Sequence, residues 1–273
     1  MKKNNAVLLS TPYILWMLAF TLIPLGVVGY YAMTDPATGA FTFDNLKNLS
    51  MYWGVLWDSI LYSLISAFIC LLLGYPVAYY IAHRSPVAQK LLYMLVMLPM
   101  CMSFLLRTLA WVGLLQDTGI INDFLEFVGI GRRQLIRTPG AVILGMVYNY
   151  LPYMILPLYA IIVKIDNRLI EAAEDLGANP LRVITRVVVP QSIPGVISGI
   201  TMVFVPSVST FAISRLLSSG MIYLVGDMIE DYFISMNNRH VGSSISLVMM
   251  VLIILSIGFL RKVDPDGEGG GMW

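Results

Sequence analysis

Few residues in this chain are of types that do chemistry, and their spacing excludes most chemistries. The two histidines, His83 and His240, lie far apart, so no metal-ligand spacing is present. No Ser/His/Asp or Cys/His nucleophile arrangement can be argued. Cys70 and Cys101 sit inside apolar runs, where a thiol is a small, inert hydrophobe. No Gly-x-x-x-x-Gly-Lys-Ser/Thr stretch exists to cradle nucleotide phosphates. Two patterns remain. One is a charged, jointed stretch, "EAAEDLGANPLRVITRVVVP", from Glu171 to Pro190. The other is a set of polar residues in oily surroundings: Arg107, the Tyr148–Tyr153 patch, and Ser207, Ser209 and Thr210 around Pro206.

The elements that must position these residues follow from composition. The 273 residues are 58% hydrophobic and only 12% charged, with a mean hydropathy of +0.78. A soluble domain carries about 25% charge, so half that, with long uncharged runs, predicts a bilayer protein. A net charge of +1 supplies no basic field for nucleic acid. Six runs are long enough to cross: about 6–33, 59–82, 90–116, 139–163, 193–217 and 241–260. The first has no small-residue cleavage site and is expected to be retained. Six crossings put both termini on one side, and the positive-inside rule makes that side cytoplasmic. Lys2, Lys3, Arg84, Lys90, Lys164, Arg168, Arg182, Arg186, Arg261 and Lys262 then lie inside, against Lys47, Arg132, Arg133, Arg137 and Arg239 outside. The expectation is one all-α membrane domain over 1–273, with a cytoplasmic loop at 164–192. An amphipathic helix is expected at "INDFLEFVGI" in an outer loop, and a loose tail at "DPDGEGGGMW".

The jointed stretch reads locally as helix, bend, helix. Leu169–Leu176 are good helix formers, Gly177 permits a left-handed backbone, and Asn179 with Pro180 can start a second helix. Arg182 and Arg186 share one face. Pro190 and Pro194 end that helix and begin the next span. Leu176 and Ala178 flank the bend, so a small apolar knuckle is ringed by charge. These features fit a plain wet loop or a docking element alike.

The spacing Glu-Ala-Ala, three residues, Gly, nine residues, then apolar-x-apolar-Pro resembles the cytoplasmic signature of ABC-importer permeases. Here it is Glu171-Ala172-Ala173, Gly177 and Val187-Val188-Val189-Pro190, with valines replacing isoleucine and leucine. "FTFDNLKNL", "LLGYPVAYYIA", "LLRTLAWVGLLQDTGIIN" and "YNYLPYMILPLYA" extend the resemblance over nearly the whole chain, towards the permease subunits of spermidine/putrescine importers. Permeases for iron, sulfate or phosphonates share similar phrases. The resemblance implies a type I importer fold with six transmembrane helices and a coupling helix, in the bacterial cytoplasmic membrane. It gives Glu171, Ala172, Ala173, Gly177 and Pro190 the coupling role, to which Asp175, Leu176 and Ala178 are added as neighbours of the bend. It also implies two copies of an ATP-binding subunit carrying ATP and Mg, a second homologous permease, and an extracytoplasmic solute-binding protein, with no cofactor on this chain. The rival from another class is a self-sufficient secondary transporter or channel.

The embedded polar residues keep two readings each. Arg107 is either a pathway or gate residue, or a cation near the outer boundary, snorkelling or paired with an outer-loop acid. Tyr148, Asn149 and Tyr153 could meet a polycation through aromatic faces. Pro206 should kink the fifth span, with Ser207 and Ser209 satisfying freed carbonyls or lining a pathway. Asp227, Glu230 and Asp231 are the acids nearest the outer mouth, and could attract a cation, dock a binding protein, or simply be solvated. Gly195, Ser198 and Gly199 offer a small-residue face for pairing with the second permease.

Overall fold

A computed structural model describes residues 11–36, 38–47 and 51–263. The start of the first expected span, 6–10, and the glycine-rich tail lie outside these. The main helices are α1 (Thr11–Ala32), α2 (Trp53–Ala82), α3 (Pro86–Cys101), α4 (Phe104–Leu115) and α5 (Ile120–Phe127). They continue with α6 (Pro139–Ile162), α7 (Asn167–Asp175), α8 (Pro180–Gln191), α9 (Ile193–Val208), α10 (Ala212–Ser218), α11 (Val225–Glu230) and α12 (Arg239–Val263). Among the described residues the only β-pairing is an isolated bridge between Thr34 and Phe41.

Five stretches are long and apolar enough to cross a bilayer: α1, α2, α4 continued through α5, α6 and α12 to Leu260. The bent pair α8 and α9 makes a sixth. An all-helical chain suits lipid because each backbone donor and acceptor finds its partner within its own segment. On α2 the large side chains Leu64, Phe68 and Leu72 face outward, whereas Ser63, Ser66, Ala67, Cys70 and Gly74 are buried. Small residues inward and large apolar ones outward is the arrangement lipid-facing helices use to pack closely.

The chain divides into two compact units, Met1–Gly54 with Met228–Ile253, and Val55–Asp227 with Ile254–Trp273. In the first, His240 Nδ1 meets the carbonyls of Tyr31 (3.1 Å) and Thr34 (2.8 Å), and Ser244 Oγ donates to Ala32 O. These bonds satisfy the end of α1. The second unit is organised around α6, whose Val142, Met146, Met154 and Leu158 have no exposed surface.

Two expected spans are discontinuous. Within 90–116, α3 closes in a 3-10 turn containing Pro99, Met102 and Ser103 are extended, and α4 begins afresh at Phe104. Within 193–217, α9 stops at Val208, two residues after Pro206, and α10 restarts at Ala212. Each break begins three residues after a proline, Pro99 or Pro206, whereas Pro76, Pro152 and Pro157 are carried inside unbroken helices.

Candidate functional site

The jointed stretch forms two helices around a tight bend. Asp166 caps α7 by accepting from Arg168 N (3.0 Å). At the other end Ala178 N donates to Ala173 O (3.0 Å) and Gly177 N to Glu174 O (2.8 Å). These paired bonds are a Schellman closure, with Gly177 at the left-handed position, φ +81°. No atom lies within 4 Å of where a Cβ on Gly177 would stand, so the glycine answers a backbone need and not a steric one. Asn179 Oδ1 accepts from Arg182 N (2.8 Å) and Pro180 opens α8. The middle of α8, Ile184–Val188, is widened into a π turn. At Ser192 the path turns by 71° into α9.

One side of this elbow is anchored and the other is bare. Ile165, Ile170, Ala173 and Ala178 pack against the core, and Val183 and Val188 lie inside it. Glu171, Ala172, Glu174, Asp175, Gly177, Arg182, Arg186 and Pro190 are exposed. Leu176 is 88% exposed and Leu181 71%. Two bare leucines on a charge-ringed turn can fill an apolar pocket on another protein, and charges around them set register. Leu181 was missed in the sequence. Asp166 was also missed, although an acid before a helix-forming run is a recognisable start signal.

The embedded polar residues separate into two kinds. Asn149 is buried on α6, donating through Nδ2 to Gly145 O (2.9 Å) and to Thr108 Oγ1 on α4 (3.3 Å). Its Oδ1 has no hydrogen-bond partner among the described residues, nor do Nε and Nη1 of Arg107. Arg107 is only 7% exposed, so its side chain is enclosed by protein and does not snorkel. Tyr148 and Tyr153 are partly exposed on different sides of α6. Tyr148 meets Trp111 edge-on at 5.4 Å, and Tyr153 lies beside Tyr150.

Around Pro206 the expected kink is a break. Ser207 Oγ donates to Phe204 O (2.8 Å), and Ser209 Oγ reaches Val205 O (3.3 Å) and Pro206 O (3.4 Å). Tyr150 also donates to Pro206 O (3.3 Å). The hydroxyls therefore satisfy the last turn of α9 and not the carbonyl four residues before the proline. Gly226, at the start of α11, lies so close to the Ser209 and Thr210 carbonyls that a Cβ there would strike them.

Two expectations change on burial. Gly195 and Gly199 do not form a free face for a second subunit. A Cβ at Gly195 would stand 3.1 Å from Pro157 O, and at Gly199 2.6 Å from Met154 Sδ, so both are used by α9 to cross α6. Asp227 is 2% exposed, and its Oδ2 accepts from Leu224 N (2.9 Å), reaching back to cap α11. Glu230 and Asp231 are half-buried, Asp231 accepting from Ser235 Oγ (3.3 Å).

Residues 71–266 match a family model described as "Binding-protein-dependent transport system inner membrane component". The chain is 38% identical over 251 residues to the spermidine/putrescine transport system permease protein PotB of Haemophilus influenzae, covering 89% of this chain and 88% of that one. It is 33% identical to the PotB of Escherichia coli K12, over 89% and 91%. A solved chain from a bacterial alginate ABC transporter, in complex with an alginate-bound periplasmic protein, superposes with a TM-score of 0.77 at 18% identity, covering 97% of this chain and 96% of that one. The fold is therefore that of an importer permease, all-helical and multi-pass.

Proposed function

The chain belongs to the family of binding-protein-dependent transport system inner membrane components, and from that premise we propose that it is the permease subunit through which an ATP-driven importer moves spermidine and putrescine. The observation that carries the substrate is the likeness to spermidine/putrescine permeases along nearly the whole chain. Both termini lie on the cytoplasmic side, and so does the elbow. A second homologous permease completes the translocation pathway, an extracytoplasmic binding protein delivers the solute, and two copies of an ATPase subunit hold ATP and Mg.

Work enters through the elbow. Leu176 and Leu181 seat in an apolar groove of the ATPase, with Glu171, Asp175 and the flanking arginines setting register. Ala172, Ala173, Gly177 and Ala178 hold the turn's shape, and Pro190 fixes where α8 ends. ATP closes the ATPase pair and carries the docked elbow with it. The 71° joint at Ser192 passes that movement to α9, and α9 grips α6 through Gly195 and Gly199. Packed helices move as rigid bodies, so a small displacement at one end switches which side is open. Arg107, Tyr148, Asn149, Tyr153, Ser207 and Ser209 line or brace the pathway. Glu230 and Asp231 face the binding protein, with Asp227 holding their helix in place.

The test is uptake of radiolabelled spermidine by the reconstituted complex, competed by unlabelled putrescine, sulfate and iron chelates. Competition by putrescine alone supports the reading, and competition by sulfate or a chelate moves the substrate elsewhere. Uphill accumulation by this chain without its ATPase would favour a self-sufficient transporter and end the proposal.

A further inference from the structure

A second feature of the inner half of the second unit is not used in that cycle. The last two turns of α2 bring Tyr75, Pro76, Tyr79 and Tyr80 along one wall of a cavity of about 380 Å³, with Ile184 of α8 lining it as well. That volume falls in the range of small-molecule sites, about 300–1,000 Å³. His83 and Arg84 complete the lining. The interior is almost wholly aromatic and aliphatic, and the neighbouring Val77 is exposed, as is the lining Tyr80, so the groove opens onto an apolar surface of α2.

The polar end is fixed in place. Gln89 Nε2 donates to Ala82 O (2.8 Å) and Arg84 O (2.9 Å), which locks the turn that follows α2. His83 donates through Nδ1 to Tyr79 O (2.9 Å) and lies over the Tyr79 ring at 4.1 Å, which holds it in the groove wall. The Arg84 guanidinium lies 4.1 Å above the Tyr80 ring, and no carboxylate pairs with it among the described residues. Tyr75 Oη and Ser192 Oγ, 2.8 Å apart, tie the groove wall to the joint where α8 turns into α9.

We propose that this groove binds one anionic phospholipid, an acyl chain lying between the α2 tyrosines and Ile184, and the phosphate on Arg84. An oily slot ending in an unpaired, pre-positioned arginine at the inner end of a membrane helix matches such a lipid in shape and in sign of charge. The inference rests on the cytoplasmic placement of the elbow given above. A lipid seated there touches both α2 and the π turn of α8, so it sets the spacing across which the elbow moves.

The whole transporter, purified with its partner subunits, is exchanged into phosphatidylcholine nanodiscs with or without phosphatidylglycerol. Lipids retained after extraction are then counted by native mass spectrometry. No solute is added, so an error in the transported substrate leaves the readout untouched. The wild-type complex should retain phosphatidylglycerol over phosphatidylcholine, and Arg84→Glu should lower that retention by about fivefold or more, the worth of one juxtamembrane charge. Arg84→Lys should keep most of it, whereas Ile184→Trp, which fills the slot and leaves the Arg84 charge, should lose it. Should Ile184→Trp fail to assemble, the two surface variants at Arg84 decide alone. Equal retention by wild type and Arg84→Glu overturns the proposal. Displacement of the lipid by inorganic phosphate does so too, by making this a phosphate site. Loss of the ATPase from Arg84→Glu with lipid retention unchanged would overturn it as well, by making the groove a protein contact.

Discussion

Gly177 gives the sharpest test of how the elbow works. Its φ of +81° lies in the left-handed region, and a Cβ there would meet no atom within 4 Å. A substitution therefore pays only the backbone cost, with no clash to confuse it. For an L-residue that cost is about 1–2 kcal/mol, close to a tenfold shift towards the unformed turn. Asparagine, whose short polar side chain tolerates this region, should lose least, and a β-branched residue should lose most. If the turn opens, the Gly177–Glu174 and Ala178–Ala173 bonds go with it, and Leu176 no longer projects. ATP-dependent uptake by membranes matched for chain content should therefore rank Gly177→Asn above Gly177→Ala above Gly177→Val, with alanine down by up to about tenfold. Crosslinking from Leu176→Cys to the ATPase, measured in each background, should fall in the same order. Equal uptake by all three, or asparagine as poor as valine, would refute the argument that a left-handed turn shapes the docking knuckle.

Three further outcomes follow from burial. Gly199→Leu drives a side chain into Met154 Sδ and should cost on the order of 1–3 kcal/mol by overpacking, seen as a lower melting temperature of the solubilised complex. An exposed control such as Gly258→Leu, with open space around it, should leave it unchanged. Asp227→Ala removes the α11 cap and should cost about 1 kcal/mol, read by thermal melting, whereas Asp227→Asn should recover part of it; equal stability of all three chains would remove the cap. Arg107→Met keeps an unbranched apolar stem, loses the guanidinium and relieves a buried charge whose cost is several kcal/mol. Melting temperature should hold or rise while uptake falls, and a fall in both would make Arg107 structural.

How far the residues alone reach can be judged from particular positions. The bend at Gly177, the start at Asn179-Pro180 and the exposure of Glu171, Asp175, Arg182 and Arg186 are legible because caps, turns and propensities act within about one helical turn. That several segments are long and apolar enough to cross is legible because a bilayer demands such a run of any chain, although the third such stretch is Phe104–Phe127 and not the expected 90–116. Even so, the third segment divides at Met102–Ser103 and the fifth at Ser209–Phe211. A hydropathy window averages over such breaks, because Ser103, Ser209 and Thr210 are single hydroxyl residues among many apolar neighbours.

By itself, then, the sequence determined an all-helical membrane chain with one jointed, charged loop carrying a recognisable signature. The tertiary structure decided what each small or polar residue faces. Gly195 and Gly199 meet α6 of their own chain, Asp227 folds back to cap a helix, Arg107 is enclosed where a snorkelling cation would be open, and Leu181 is bare where an apolar helix would bury it. These outcomes depend on which distant helix lies alongside. That is set by packing between segments far apart in the chain, whereas local signals fade within a few residues.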